Sequence, residues 1–306
     1  MNVSFRQLRV FLAVAEQGSI SAAARLCHVT QPTVSMQLRE LAEAVGLPLY
    51  EVVGKRLVLT AAGQELAQTA RAIAGEWASF EQRMDGMKGL ERGRLRVAVV
   101  STAQYFVPRI LGDFCHRHPQ IDVSLEVLNR DGVVQRLREN RDDLYIMSQP
   151  PRDVELDQQV FLPNPLVLIA AADHPLAGRQ NLPLEALQGE RFILREKGSG
   201  TRLACDAFFQ AHGLQPDVRL ELGSNEAIVQ AVAGGMGLAV VSRHALAPQA
   251  ASAELAWLDV QGFPIRSQWS IVTLRGKRLS PIAQVFLTQL EQQAQSFAQR
   301  SPPRVV

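Results

Sequence analysis

The chain has 306 residues, of which 47% are hydrophobic and 20% are charged, and its formal net charge is +2. This length suggests two or three domains, and the composition excludes a disordered chain, a collagen-like repeat and a disulfide scaffold as overall descriptions. The whole-chain charge indicates neither nucleic acid nor membrane as a partner, so a DNA-binding surface has to arise from individually placed cations.

Apolar residues at helical spacing predict three short helices at the start of the chain, spanning about 5–15, 20–27 and 31–45. Thr30 is the predicted N-cap of the third helix, Pro32 falls in its first turn and Gly46 ends it. The apolar run Val10–Ala15 is too short for a secretory signal, so it is interpreted as part of a cytoplasmic helix.

The third helix has two different faces. An apolar stripe repeats at intervals of four, three and four from Val34 to Val45, which is typical of a side that faces a core. The other face carries short polar side chains and one arginine, a combination suited to base edges and phosphates in the major groove. Its residues are Gln31, Thr33, Ser35, Met36 and Arg39.

A hairpin is predicted from Val52 to Thr60, with Gly54, Lys55 and Arg56 at its tip. Such a wing, carrying two cations, can contact the phosphate backbone or the minor groove. Two short helices, a polar-faced third helix and a wing together predict a winged helix-turn-helix. The alternative is a solvated helix and a solvated turn, because many helical domains show this pattern.

Six segments of the first 63 residues form a longer signature: Phe11-Leu12-Ala13-Val14-Ala15-Glu16, Gly18-Ser19, Ala22-Ala23-Ala24, Thr30-Gln31-Pro32-Thr33-Val34-Ser35, Gln37-Leu38 and Leu59-Thr60-Ala61-Ala62-Gly63. Together they resemble the winged helix-turn-helix of LysR-type transcriptional regulators. The resemblance implies that the DNA-contacting residues are Thr30, Gln31, Pro32, Thr33, Ser35, Arg39, Lys55 and Arg56. Two positions depart from the family pattern, since Ala42 stands where a glutamate is usual and Glu51 where an arginine is common. An acid at position 51 repels phosphate, so Glu51 is expected to face away from DNA or to tune the wing.

A long helical pattern runs from Thr60 to about Lys88. Apolar residues recur every seven positions in two series offset by four, which is the a/d seam of a coiled coil. The seam residues are Leu66, Ala70, Ile73, Trp77, Phe80, Met84 and Met87. The stripe needs a partner, either a second copy of the chain or its own domain. A dimer would place two recognition helices on half-sites one helical turn apart.

A hinge is predicted at Gly89–Gly93, and beyond it strands alternate with helices. This alternation predicts an α/β region with parallel sheets and helices on both faces. Connections near Pro163-Asn164 and Pro264-Ile265 divide the region into two lobes with a cleft between them. The tail from Ser301 is predicted to fray.

Three strand-to-helix junctions carry hydroxyl or amide side chains where a helix starts: Ser101-Thr102, Ser199-Gly200-Thr201 and Ser224-Asn225. In open α/β sheets ligands bind beyond the carboxyl ends of strands, where free backbone N–H groups and side-chain donors attract anions. The junctions therefore predict an effector-binding cradle for an anion. Asn129, Gln149 and Arg202 are expected to add contacts, and Arg202 can pair bidentately with a carboxylate or phosphate. The alternative is helix capping, an ordinary role of serine and threonine.

Five more segments carry a second resemblance: Tyr105-Phe106-Val107-Pro108, Asp143-Leu144-Tyr145-Ile146, Phe192-Ile193-Leu194-Arg195-Glu196, Gly198-Ser199-Gly200-Thr201-Arg202 and Gly223-Ser224-Asn225-Glu226-Ala227-Ile228. They resemble the effector-binding domain of LysR-type regulators, which is similar to periplasmic solute-binding proteins. Within the family they look like the branch that includes regulators of Calvin-cycle operons. The resemblance implies a phosphorylated or carboxylate metabolite as effector and no other cofactor. It also implies operator DNA and RNA polymerase as partners of a homodimer or homotetramer.

The expected domains follow from these two resemblances. They are a winged helix-turn-helix at 1–60, a linker and dimerisation helix at 61–89, and an effector-binding domain at 90–306. The first lobe of the last domain is expected at about 94–163 with 266–300, and the second at about 164–265.

Two other classes of function are weighed against a regulator. A solute-binding protein of a transporter fits residues 94–300 but not the first ninety. A small α/β hydrolase or transferase needs a nucleophile with a base in reach, and neither Ser101 nor Ser199 has such a partner by motif. The sequence therefore favours a protein that is not an enzyme.

The remaining sequence signals predict a cytoplasmic protein without a metal. The three cysteines Cys27, Cys115 and Cys205 are far apart and are expected to be thiols in a reducing compartment. His116 and His118 lack further ligands, so no metal site is predicted. The longest apolar runs are too short to span a membrane.

Overall fold

The computed structural model describes residues 2–53, 56–87, 92–249 and 254–299. By its internal contacts the chain divides into two compact units: Met1–Met84 with Arg138–Arg141, and Asp85–Leu137 with Asp142–Val306. The first unit is mainly helical, and the second is built on two mixed sheets.

The first unit contains three short helices, a hairpin and a long helix: α1 (Phe5–Gln17), α2 (Ile20–Leu26), α3 (Gln31–Val45), β1 (Tyr50–Val53), β2 (Arg56–Leu59) and α4 (Ala61–Met87). Strands β1 and β2 pair antiparallel, so the predicted helices and hairpin are present. The predicted hairpin tip at Gly54 and Lys55 lies outside the described residues, as does most of the predicted hinge at Gly89–Gly93.

Local side chains set the two ends of α3. The Thr30 hydroxyl accepts a hydrogen bond from the Thr33 N–H at the start of the helix. Gly46 ends it in the left-handed conformation, at φ 79°. Both ends match the sequence prediction. Between them Val34 and Leu41 are buried in the core of the unit, which fixes the rotation of α3 and keeps its polar face outside.

Helix α4 uses its apolar stripe in two ways. Ala70 is buried in the core of the first unit and Leu66 packs against that core. Leu66, a predicted seam residue, therefore packs at least in part against its own domain, which is the alternative that the sequence left open. Further along, Ile73, Trp77 and Phe80 are 44%, 50% and 41% exposed. The exposed part of the stripe thus begins at Ile73.

The second unit has the following strands and helices: β3 (Gly93–Val100), α5 (Val107–Arg117), β4 (Ile121–Leu128), α6 (Arg130–Arg138), β5 (Leu144–Met147), β6 (Leu156–Pro163), β7 (Leu166–Ala171), β8 (Arg191–Arg195), α7 (Gly200–Ala211), β9 (Asp217–Leu222), α8 (Asn225–Ala233), β10 (Leu238–Ser242), β11 (Leu255–Trp257), β12 (Gln268–Leu274) and α9 (Pro281–Gln299). One sheet has the order β4-β3-β5-β12-β6 and defines the first lobe. The other has the order β11-β7-β10-β8-β9 and defines the second lobe.

Both sheets are mixed rather than parallel, which corrects the sequence prediction. Strand β3 is parallel to β4 and β5, whereas β12 is antiparallel to β5 and β6. In the second lobe β8 is parallel to β9 and β10, whereas β7 is antiparallel to β10 and β11. Strands β7 and β12 arrive directly from the other lobe and not through a crossover helix, so nothing constrains them to run parallel.

Strand β7 shows that the second sheet is covered on both faces. Leu168 and Ala170 lie in one apolar core, and Val167 and Ile169 lie in another. Successive strand residues point to opposite faces, so the two cores lie on the two sides of the sheet. The prediction of helices on both faces is thus confirmed for this lobe.

The two connections between the lobes lie side by side. The Asn164 N–H donates to the Ser267 carbonyl at 2.8 Å, and Leu166 forms an antiparallel bridge with Ile265. The Ser242 hydroxyl, at the end of β10, donates to the side-chain oxygen of Asn164 at 2.6 Å. Both polar side chains are buried, so this hydrogen bond helps to hold the paired connections in place.

Candidate functional site

The polar face of α3 is the surface that the sequence assigns to DNA. Its residues are exposed or half-buried: Gln31, Pro32, Thr33, Ser35 and Arg39. At the helix start the Thr30 and Thr33 hydroxyl oxygens are 2.8 Å apart. Of the predicted wing residues, Arg56 begins β2 and Lys55 lies outside the described residues. The described face joins a helix N-terminus with a cation one to two turns away, which suits a phosphate backbone.

A second polar site lies where strands of both lobes end. Ser101 and Thr102 follow β3, Ser199 follows β8 and Asn225 follows β9. These strands are parallel to their neighbours β5, β10 and β8, so the residues sit at carboxyl ends as predicted.

The two lobes approach each other closely at the turn before α7. The Asp131 N–H of the first lobe donates to the Gly198 carbonyl of the second at 3.2 Å. A Cβ atom on Gly200 would lie only 2.6 Å from Oγ of Ser148, and Gly198 has φ 91°, which favours glycine. The glycines of this turn therefore permit the approach of the lobes.

Arg195 is a buried cation at the centre of the site, with 2% of its surface exposed. Its Nε and Nη2 donate to the two carboxylate oxygens of Glu196 at 2.8 and 3.0 Å. Its Nη1 donates to Oδ1 of Asn225 at 2.7 Å, and Nη2 donates to Oγ of Ser101 in the other lobe at 3.3 Å. Most of its N–H groups are used within the protein, so Arg195 organises the site and Glu196 balances its charge.

The Asn225 amide is the least satisfied group of this site. Its side chain is 2% exposed, and its buried Nδ2 has no hydrogen-bond partner among the described residues. Leaving a buried amide donor unpaired costs about 1–3 kcal/mol. Asn225 is also the first residue of α8, where backbone N–H groups add further donors. A ligand oxygen placed here would relieve the deficit.

Thr102 contributes a buried hydroxyl from the first lobe. Its Oγ1 accepts a hydrogen bond of 3.1 Å from the indole of Trp269, which is also buried. The Trp269 ring packs against Phe106 and His244, with centroids 4.6 and 4.8 Å apart. Burial lowers the pKa of His244, so the imidazole beside the tryptophan stays neutral near pH 7.

Helix capping explains one of the three predicted junctions. The Ser224 hydroxyl accepts a hydrogen bond from the Ala227 N–H and so caps α8. Ser199 begins α7 without a side-chain cap, and both Ser199 and Thr201 are buried beside Gly200. Among the three junctions, helix capping therefore explains only Ser224. The hydroxyl groups at the α7 junction do not cap their helix.

A hydrogen-bonded group closes one side of the site. The Tyr105 hydroxyl of the first lobe donates to Oε1 of Glu226 in the second at 2.6 Å, and Gln104 donates to the same oxygen at 3.3 Å. Burial and the Glu226 acceptor raise the pKa of Tyr105 to about 12, while the nearby amides of Gln104 and Asn225 oppose the rise. Burial alone would raise the pKa of Glu226, but the Tyr105 and Ser224 hydroxyl groups outweigh it, and the pKa is lowered.

Two residues predicted for the site have partners elsewhere in the protein, and a third has an exposed side chain. Arg202 donates to Asp206 at 2.9 Å and to Glu221 at 2.8 Å, so its guanidinium already has partners within the protein. The Asn129 side-chain oxygen accepts from the Gly132 N–H at 2.9 Å in an ordinary local cap. Gln149 has an exposed side chain that lines a separate polar depression with Pro150–Leu156 and Arg275.

Sequence reasoning missed four residues of the site: Tyr105, Arg195, Glu226 and Trp269. An arginine that ends an otherwise apolar strand, as in Phe192-Ile193-Leu194-Arg195, was a usable signal. Trp269 gave none, because the hydroxyl it contacts lies 167 residues away in sequence. The glutamate at the second position of a helix is ordinary, so Glu226 also gave none.

Other chemistry finds little support in the described ranges. Among these residues no three His, Cys, Asp or Glu side chains are grouped to hold a metal ion. Burial raises the pKa of the Cys205 thiol to about 12, which keeps it protonated and unreactive. None of the helices in these ranges combines the length and the apolar character that crossing a bilayer requires.

Comparison with known proteins identifies both units. The family described as "Bacterial regulatory helix-turn-helix protein, lysR family" matches residues 5–64, and "LysR substrate binding domain" matches residues 88–295. The chain is 47% identical over 286 residues to the RuBisCO operon transcriptional regulator of Allochromatium vinosum, covering 94% of this chain and 95% of that protein. It is 44% identical over 289 residues to the RuBisCO operon transcriptional regulator of Acidithiobacillus ferrooxidans, covering 94% of each.

A solved structure matches the second unit. The regulatory domain of Synechocystis CcmR, in complex with 2-PG, is 53% identical and superposes with a TM-score of 0.65, covering 66% of this chain and 98% of that one. The relatives are regulators of transcription and not enzymes, and the helix-turn-helix match excludes a solute-binding protein of a transporter. The chain belongs to the LysR family of bacterial transcriptional regulators, with a helix-turn-helix domain followed by an effector-binding domain.

Proposed function

We propose that the effector of this regulator is a small phosphorylated carboxylate, with 2-phosphoglycolate (2-PG) as the first candidate, bound between the lobes. The observation that carries the proposal is the buried Nδ2 of Asn225, a donor without a partner beside the start of α8. The 53% identity to a domain bound to 2-PG supports the choice of ligand. The residues assigned to the effector are Ser101, Thr102, Ser199, Gly200, Thr201 and Asn225, organised by Arg195.

The donor chemistry of these residues suits an anion. Amide and hydroxyl groups and the N-termini of α7 and α8 attract oxyanions without placing a free cation in the cleft. Arg195 is neutralised by Glu196, so discrimination rests on directed hydrogen bonds and not on net charge. A phosphate group offers several acceptor oxygens, which matches a site rich in donors.

Operator DNA is the proposed partner of the first unit. The proposed contacts are Thr30, Gln31, Pro32, Thr33, Ser35 and Arg39 of α3, with Lys55 and Arg56 of the wing. We also propose that two chains form a homodimer through the exposed part of α4. These dimers assemble to a tetramer, which contacts RNA polymerase in the cytoplasm. The boundaries 1–60, 61–89 and 90–306 divide these three roles. The RuBisCO operon relatives support a carbon-fixation operon as the target.

The proposed switch couples the two functions through lobe geometry. An effector that binds both lobes stabilises the arrangement in which Thr102 and Asn225 reach it together. The effector can shift operator binding only by the difference between its affinity for this arrangement of the lobes and its affinity for the alternative arrangement. Both the ligand affinity and the operator response therefore have to change when a cleft donor is removed.

The test is calorimetry and an operator gel shift with 2-PG, using glycolate as a ligand that lacks the phosphate. We expect 2-PG to bind and to alter the operator complex, and glycolate to do neither. Thr102→Val keeps the shape and removes a cleft hydroxyl, whereas Thr288→Val is a matched change on α9, where the hydroxyl donates to Gln284. Equal responses of the two variants would remove Thr102 from the site.

A further inference from the structure

Met36 is an exposed apolar residue on a helix whose core residues are fully covered. Its side chain is 47% exposed, whereas Val34, Leu38 and Leu41 of the same helix are at most 1% exposed. The core of the first unit therefore does not depend on Met36. Its apolar side chain is available to a partner that approaches α3 from outside.

The buried stripe of α3 fixes the direction in which Met36 points. Successive residues of an α-helix are rotated by about 100°, so Met36 lies about 200° around the helix from Val34. Leu38 and Leu41 lie within about 40° of Val34, which makes the side of Met36 the side opposite the core. Pro32 and Arg39, four residues before and three residues after Met36, lie beside it on this outer face.

The charges of α3 indicate which half of the helix can approach DNA. Glu40 and Glu43 are exposed in the second half, where their carboxylates repel phosphate. Oε2 of Glu40 accepts a hydrogen bond of 3.1 Å from the Gln7 side chain of α1. The first half, from Gln31 to Leu38, contains no acidic residue and begins with the unpaired N–H groups of a helix start. Met36 is the sixth residue of α3 and so belongs to the half that suits a groove.

The chemistry of methionine limits what Met36 can recognise in the major groove. The side chain has no hydrogen-bond donor and its sulfur is a weak acceptor, so its favourable contacts are with apolar groups. Among the base edges in the major groove, the C5-methyl group of thymine is the apolar feature. The unbranched and flexible side chain can adjust its conformation to pack against such a methyl group.

We propose that Met36 is a specificity-determining residue that packs against the C5-methyl group of one thymine in each half-site of the operator. The inference rests on the proposed function, because it requires α3 to bind in the major groove. It adds an apolar contact with a base to the polar and cationic contacts proposed for this face. Because the contact buries apolar surface and releases no ions, its strength should not depend on salt concentration.

The test removes the methyl group from the DNA and the side chain from the protein in separate steps. The full-length chain first selects duplexes from a random-sequence DNA pool, and the enriched duplex is the probe. Each thymine of one half-site is then replaced in turn by deoxyuridine, which pairs with adenine as thymine does and lacks only the methyl group. Fluorescence anisotropy gives the Kd for the thymine duplex and for each deoxyuridine duplex.

For the wild type we expect one thymine in the half-site at which deoxyuridine raises the Kd about fourfold, as expected for the loss of one buried methyl group. This ratio should stay constant from about 50 to 200 mM salt while both Kd values rise. Met36→Ala should bind the thymine duplex more weakly, and its ratio at that thymine should be below about 1.5. Met36→Leu keeps a large apolar side chain, so its ratio should stay above about twofold. Thr33 also carries a methyl group, and only a contact with Met36 makes the ratio depend on residue 36.

Two further variants separate a methyl contact from a general loss of affinity. Arg39→Ala should weaken the binding of both duplexes equally and leave the ratio at about fourfold, because a phosphate contact does not distinguish thymine from uracil. Val285→Ala shortens a side chain of α9 that is also 47% exposed, and it should leave both Kd values unchanged. The Tm of Met36→Ala should lie within about 2 °C of the wild type, because the residue lies outside the core.

The outcomes distinguish this inference from the proposed function. If the wild type enriches a sequence but has no thymine with a ratio above about 1.5, the methyl contact is overturned and operator binding stands. A Met36→Ala protein that keeps the full wild-type ratio has the same consequence. A wild type that enriches no sequence from the pool overturns both the methyl contact and the DNA contacts proposed for α3.

Discussion

The Tyr105 hydroxyl and Oε1 of Glu226 are 2.6 Å apart, and this hydrogen bond joins the two lobes beside the proposed effector site. Ser224 donates to the other carboxylate oxygen at 2.7 Å, so both oxygens of Glu226 are engaged. Asn225 lies between Ser224 and Glu226 in sequence, and its Nδ2 has no hydrogen-bond partner among the described residues. The interlobe contact and the proposed ligand donor are therefore parts of one short segment at the start of α8.

Removing this hydrogen bond should lower the thermal stability of the protein by an amount that depends on pH. Tyr105→Phe deletes the donor and should lower the Tm at pH 7 by about 2–4 °C, equivalent to about 1 kcal/mol for a partly exposed charged hydrogen bond. The pKa of Glu226 is lowered in the folded protein, so its stabilising effect is present above the usual glutamate pKa. It is lost as the pH falls through the lowered pKa of Glu226 in the folded protein.

Thermal unfolding of wild type and Tyr105→Phe across pH 3 to 8 measures this difference. The Glu226→Gln background is the control, because there the effect of Tyr105→Phe should not vary with pH. A Tm deficit of equal size at pH 3 and pH 7 in the wild-type background would mean that the Glu226 charge plays no part.

The close approach at Gly200 can be tested with a suppressor. Gly200→Ala places a Cβ atom 2.6 Å from Oγ of Ser148, so the methyl group cannot fit while the lobes keep this separation. Overpacking of this kind costs about 1–3 kcal/mol, and we expect the Kd for 2-PG to rise about tenfold or more. Ser148→Ala removes the clashing oxygen, so the double variant should regain most of the affinity in calorimetry. If Ser148→Ala does not restore binding, the loss of 2-PG affinity does not arise from contact with Oγ of Ser148.

How far the sequence predicts the site depends on the range of each contact. The positions of Ser101, Thr102, Ser199 and Asn225 follow from strand ends, which are local features. The partners that decide their roles are distant: Arg195 meets Ser101 across 94 residues. The hydrophobic periodicity of the sequence carries no information about such pairs. It also cannot distinguish a free hydroxyl group from one that already forms a hydrogen bond.

The same limit applies to the contacts of Arg202 and Leu66. Arg202 has a carboxylate four residues later, a spacing that indicates an ion pair on a helix, but its second partner Glu221 lies on strand β9. Leu66 fits the seven-residue repeat of a dimer seam and also fits the core of its own domain. One apolar residue fits both patterns, so only its packing in the folded protein shows which of the two surfaces it contacts.

Arg202→Ala tests whether Arg202 contributes to effector binding. It removes a half-covered ion pair and a hydrogen bond to the Arg195 carbonyl at 2.8 Å, so the Tm should fall. Because the guanidinium already has protein partners, the Kd for 2-PG should stay within about twofold of wild type. Arg275→Ala, another arginine of this unit that faces a carboxylate at 3.7 Å, controls for the loss of charge. A large loss of 2-PG affinity specific to Arg202→Ala would return this residue to the site.

Arg39→Ala tests the DNA-binding face. Arg39 is an exposed cation on α3, and its loss should weaken operator binding while leaving the Tm and the 2-PG affinity unchanged. If it contacts phosphate, the slope of log affinity against log salt should fall by about one per contact. Gel shifts at several salt concentrations measure both effects, with the exposed Arg179→Ala as a charge-matched control in the effector domain. The same loss in both variants would indicate a nonspecific charge effect.

The exposed part of α4 should hold two copies of the chain together. Ile73, Trp77 and Phe80 are largely uncovered, and the Trp77 and Phe80 ring centroids are 5.4 Å apart, so they form one apolar surface. Ile73→Asp puts a charge in this surface, and burying it unpaired in an interface is costly. We therefore expect sedimentation velocity to show a shift to monomer and gel shifts to show weaker operator binding, because two half-sites are no longer engaged together. Gln64→Glu adds the same charge at an exposed position on the opposite side of the same helix and should leave the assembly intact. If Ile73→Asp sediments as the wild type does, the seam lies elsewhere on the chain.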